Sequence, residues 1–118
     1  MKQCVYHSVL PIQLSTGRQI YADVRIYTEY DQYYEVDEDF ETPEQEQEYR
    51  DKLQSGALEA LVVTAVASYG GMFGYASLGA AVVGSLSDLR ELISEYGMQE
   101  VAADDLKKNI EQLLSSIA

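Results

Sequence analysis

Cys4 and His7 are the only cysteine and the only histidine in the chain, so they come first as candidates for nucleophilic or metal chemistry. Residues three apart on a strand point to opposite faces, which separates a Cys/His pair. A zinc site needs about four nitrogen, sulfur or carboxylate ligands, and these two are the only soft ones. Gly70-Gly71-Met72-Phe73-Gly74 lacks the Lys-Ser/Thr ending of a phosphate loop and the spacing of a dinucleotide fingerprint. Asp37, Glu38 and Asp39 offer oxygens to a hard cation, but the alternating register, glycine and distal glutamate of a calcium loop are missing. These residues predict no enzyme, no metal site and no cofactor.

Binding chemistry is written more strongly. Between Glu29 and Glu59 stand twelve acidic residues and two basic ones, Arg50 and Lys52. That is −10 of a chain total of −12, from 20 acidic and 8 basic residues. Tyr30, Tyr33, Tyr34, Phe40 and Tyr49 are interleaved with these carboxylates. Spaced carboxylates imitate a phosphate array, and tyrosines supply rigid amphipathic anchors of the sort found in interface hot spots. Attraction to a basic partner would also speed encounter. The expected contact set is Tyr33, Tyr34, Asp37, Glu38, Asp39, Glu44 and Glu48. A bland alternative is a solvated acidic surface whose tyrosines pack on the fold, with the charge serving solubility.

The same charge excludes other partners. Binding a nucleic-acid backbone requires Lys and Arg to displace counterions, and anionic membranes ask for the same residues. The expected partner is a basic protein or a nucleic-acid-binding enzyme, with no direct nucleic acid and no membrane. The function expected is inhibition or neutralisation of such a partner, of the immunity or anti-defence type that phage and other mobile elements encode.

Those residues need a scaffold, and its organising stretch is 60–87, which holds no charged residue and five of the eight glycines. Its Ala, Val and Leu content is read as a buried central helix, or two short helices meeting at Gly70-Gly71. A membrane span has the right length. Thr64, Ser68, Tyr69, Tyr75, Ser77 and the paired glycines oppose it, and no Lys/Arg cluster anchors either end. A close helix-packing seam along Gly70, Gly74 and Gly79 is the third arrangement. It supports an alternative function as a homo-oligomeric structural or assembly subunit.

In chain order, residues 4–14 read as a strand that Pro11 pushes to a sheet edge. Residues 19–30 alternate cleanly, Ile20, Ala22, Val24 and Ile26 against Tyr21, Asp23, Arg25, Tyr27 and Glu29. Residues 33–36 suit a third strand of a meander. Thr42-Pro43-Glu44-Gln45 predicts a helix start with an N-cap, proline at the first position and a capping-box glutamine. That helix is expected to run past Gly56 or kink there. A helix from about 75 to 83 follows, then one over 88–96 capped by Ser87 and closed by Gly97. A last helix over 102–117 carries Leu106, Ile110, Leu113, Leu114 and Ile117 on one face. The expected class is α+β in a single domain spanning residues 1–118. Its β-hairpin or meander (about 4–36, within β-rich residues 1–41) packs on three to four helices (about 43–117, within helical residues 42–118). One cysteine permits no internal disulfide, and the start of the chain shows no secretory pattern, so a cytoplasmic location is expected.

Overall fold

A computed structural model describes residues 2–36 and 39–117. The chain is α+β: four antiparallel strands and three helices among the described residues. The strands are β1 (Gln3–Gln13), β2 (Gln19–Tyr30), β3 (Glu59–Tyr69) and β4 (Met72–Val83), and the helices are α1 (Pro43–Ser55), α2 (Leu86–Glu95) and α3 (Met98–Ile117). The strands form a meander in the order β1-β2-β3-β4.

The first hairpin forms as its alternation dictates. Leu14 N–H donates to Arg18 and its carbonyl accepts from Gly17, closing a short loop before β2. Ile12, Ile20, Ala22, Val24 and Ile26 are all buried, and β1 with Pro11 lies at the sheet edge.

The charge-free stretch is the main correction, because it forms the hairpin β3–β4 and no helix. Leu61, Val63, Ala65 and Ala67 alternate with half-buried Val62, Thr64, Val66 and Ser68. That period of two, with β-branched residues on both faces, outweighs the helix propensity of the alanines. Gly70 and Gly71 stand at φ 57° and 81° in a two-residue turn that pairs Tyr69 with Met72. Two consecutive positive φ values match the twist of flanking strands and break any helix.

Three further expectations change with it. Residues 33–36 are no strand, since Tyr34 N–H turns back to Asp31 at 3.3 Å, and β3 takes the place beside β2. Helix α1 stops at Gly56, so strands and helices are not segregated along the chain: α1 is an excursion between two neighbouring strands. Ser85, not Ser87, caps α2, its Oγ accepting from Asp88 N–H at 3.1 Å, the spacing a cap requires.

Helices α2 and α3 cover one face of the sheet through Leu89, Ile93, Ala102, Leu106 and Ile110. Helix α3 lies so close to β4 that a Cβ on Gly74 would stand 2.2 Å from Leu106 N. It also caps the edge of β4. Asp105 accepts Tyr75 N–H at 2.9 Å, and Asn109 donates to the Phe73 carbonyl at 2.8 Å. The opposite face of the sheet lies open, with Val9, Tyr21, Phe73 and Tyr75 exposed.

Candidate functional site

The acidic segment occupies the β2–α1–β3 excursion. Thr42 Oγ1 accepts Gln45 N–H at 3.2 Å, Pro43 fills the first helical position, and Gln45 reaches back to Glu41 N–H at 3.0 Å. The start was legible, with the back-bond landing one residue before the cap. No residue of α1 is buried. The molecule measures 62 × 23 × 22 Å. A 12-residue strand spans about 40 Å, leaving about 20 Å, close to the length of a 13-residue helix. The acidic lobe therefore lengthens the molecule and adds nothing to its core.

Each expected contact residue takes a distinct place. Tyr33 is 89% exposed, in a turn held by its N–H donating to Asp31 Oδ1 at 3.1 Å. Tyr34 is half-buried and shares a 2.7 Å hydroxyl contact with Tyr49, whose ring meets Phe40 at 5.4 Å between centroids. Asp37 and Glu38 lie outside the described residues. Asp39, Glu44 and Glu48 are exposed. Glu44 and Glu48 are four apart on α1 and share a face. Both cations of the lobe are engaged within α1, Arg50 with Glu46 at 3.3 Å and Lys52 with Glu48 at 3.4 Å. Exposed pairs of this kind contribute little stability, but they lower the positive potential the lobe presents.

Behind these residues lies an open groove of about 880 Å³, lined by Tyr30, Tyr34, Val36, Leu53, Leu58 and Glu59 among others. Sequence reasoning missed Asp31 as its organiser. One oxygen of Asp31 accepts Tyr33 N–H, and the other accepts Ala80 N–H at 3.0 Å, across the connection in β4. Ala80 stands at φ 55° where the β3–β4 register shifts. No local signal in the sequence links positions 31 and 80.

Cys4 and His7 do not fall on opposite faces as expected. A bulge between Cys4 and Tyr6 resets the register, so that Cys4 pairs with Tyr27 and His7 with Arg25, both on the open face. His7 Nε2 hydrogen-bonds Asp23, and Arg25 Nε donates to the same carboxylate at 3.0 Å. The His7 bond, with help from Arg25, holds the Asp23 carboxyl below its usual range. Cys4 Sγ lies 3.4 Å from the Tyr6 carbonyl. Among the described residues no group of three or more His, Cys, Asp or Glu is placed to hold a metal.

The glycine seam is corrected as well. Gly70 belongs to the β3–β4 turn, Gly74 is covered by α3 of its own chain, and Gly79 is exposed near Asp31. Of the three only Gly74 gives a close backbone approach, and it is to α3 of its own chain. Among the described residues no helix is long and apolar enough to cross a membrane.

Set against protein-family models, curated proteins and solved structures, the chain matches none.

Proposed function

We propose that this chain is a small non-enzymatic binding protein that occupies the basic, nucleic-acid-binding surface of a partner and so inhibits it. One observation carries the reading. The excursion between β2 and β3 holds most of the net charge of the chain in a lobe with no buried helical residue, yet its cap and Asp31 turn are well formed. Structure maintained outside the core is most simply explained by what it presents. What it presents is Tyr33 with Asp39, Glu44 and Glu48, beside Asp37 and Glu38 in the sequence. Among the described residues Tyr33 is the most exposed large apolar side chain, placed to serve a partner as an interface anchor.

The test uses the partner enzyme itself. The tagged protein is expected to retain a basic nucleic-acid enzyme at low salt, release it at high salt, and inhibit its action on nucleic acid. Replacing Asp37, Glu38, Asp39, Glu44 and Glu48 by their amides should weaken association by about tenfold or more, mainly through the association rate. Unchanged affinity and salt dependence in that variant would overturn the proposal.

A further inference from the structure

The acidic lobe leaves the other end of the meander unused, and there the two sheet edges differ. The edge of β4 is occupied over Phe73–Tyr75 by Asn109 and Asp105, engaged by Asp31 at Ala80, and interrupted by the register shift beside Gly79. Strand β1 has no such cover among the described residues. Leu14 exchanges bonds with the Gly17–Arg18 side of its loop, and alternation along an antiparallel ladder then turns Tyr6, Ser8, Leu10 and Ile12 toward β2. His7, Val9, Pro11 and Gln13 consequently direct their backbone groups outward. Pro11 fits this parity, because its missing N–H falls where no ladder bond is made. Among the described residues nothing hydrogen-bonds the outward N–H of His7 or Val9.

We propose that this edge of β1 pairs with the same edge of a second copy of the chain, antiparallel about a twofold axis at Ser8. Two four-stranded sheets would join into one. In that register His7 and Val9 exchange both backbone bonds with the partner's Val9 and the partner's His7. The same register sets Pro11, which has no N–H to donate, opposite the bulge near Cys4 of the other copy.

The strand's own lack of charge suits a second copy of the chain. Natural edges are usually defended by charged side chains, Pro or bulges, and in β1 Pro11 and the bulge between Cys4 and Tyr6 flank the His7–Val9 segment without entering it. From Gln3 to Gln13 there is no Asp, Glu, Lys or Arg, in a chain where 24% of residues are charged. The strand itself thus opposes no like charge to its own copy, and at its Leu10–Gln13 end α3 sets Lys107 beside Glu100 and Asp104. The lobes do not oppose the pairing either. Gln3 pairs with Thr28 at the end of β2 from which the lobe springs, so antiparallel pairing sends the two lobes to opposite ends. Their roots would be about 30 Å apart by strand rise, well beyond a Debye length. With β4 occupied, the assembly closes at two copies and does not propagate.

The experiment is sedimentation velocity on the full chain over a dilution series reaching high micromolar concentration, beside Val9→Pro and Val9→Lys. Val9 is 58% exposed and its N–H points away from β2, so both variants should keep the circular dichroism of the parent. The parent is expected to reach twice the chain mass. Each variant should weaken dimerisation by about tenfold to a hundredfold, since symmetry removes or crowds the same bond twice. In the parent, the His7 and Val9 amides should exchange more slowly as concentration rises. A monomer throughout the series would overturn the proposal, as would a dimer that both variants leave intact.

Discussion

Replacing Gly74 by alanine should be among the most damaging single-methyl changes available to this protein. The added Cβ would stand 2.2 Å from Leu106 N, 2.4 Å from the Ala102 carbonyl oxygen and 2.7 Å from Leu106 Cα. All three atoms are helix backbone, so no rotamer change relieves them. To restore an ordinary contact of 3.4 Å, α3 and β4 must separate by about 1 Å along that line, the shortfall at the closest atom. Overpacking of this kind costs about 1–3 kcal/mol. Separation also stretches the Asp105–Tyr75 and Asn109–Phe73 bonds, which tie the same helix to the same strand, at about 1 kcal/mol each. The total is about 3–5 kcal/mol, a large share of the roughly 5–15 kcal/mol that holds a domain folded.

Urea unfolding of the full chain, read by circular dichroism, measures this directly. Gly70→Ala is the control, with nothing within 4 Å of its Cβ and φ at 57°; its cost should be the left-handed backbone penalty of about 1–2 kcal/mol. If Gly74→Ala unfolded within about 0.5 kcal/mol of the parent, the close approach of α3 to β4 would be refuted. The comparison also separates the two roles considered for Gly74, since an intermolecular seam would change self-association and leave the unfolding of the monomer alone.

Glu111 accepts both Ser15 N–H, at 2.7 Å, and Ser15 Oγ–H, which holds its carboxyl below the ordinary value of 4.5. A depressed folded pKa stabilises above the unfolded value and is lost as pH falls through the folded one. Glu111→Gln should therefore be slightly less stable than the parent at neutral pH, and the gap should close as pH falls below the ordinary 4.5 and through the lowered folded value; a gap independent of pH in urea titrations would contradict this. Thr42→Ala should cost about 1 kcal/mol of helix stability. Because α1 adds no residue to the core, the loss should appear as faster hydrogen exchange in α1 with little change in the melting of the sheet, and a global melt lowered as far as by Gly74→Ala would contradict the separation of lobe and core.

The first hairpin was legible because Ile20, Ala22, Val24 and Ile26 alternate with polar residues, and a half-wet strand leaves that imprint. The start of α1 was legible from side chains that act within four residues of each other. The second hairpin was misread because its buried face is built from Leu61, Val63, Ala65 and Ala67 while the other face is Val62, Thr64, Val66 and Ser68. With both faces nearly apolar, periodicity fades, and alanine content then argues for helix. The paired glycines between two β-branched or aromatic runs were the better guide. The small residues themselves have a tertiary cause, since Gly74 is small to admit α3.

The candidate site divides in the same way. Its composition was local and readable, as were the carboxylates, the tyrosines and the helix cap. Its framework was not, because Asp31 acts on Ala80 across 49 residues of sequence and Tyr34 meets Tyr49 through a turn that no periodicity announces. This division has a physical consequence. The apolar sheet and α3 carry the stability, while α1 carries charge and adds no residue to the core. Substitutions on Glu44 or Glu48 should then alter association without unfolding the scaffold. An apolar core beside a segment that carries −10 of the chain's net −12 fits a protein whose fold exists to hold one surface in place.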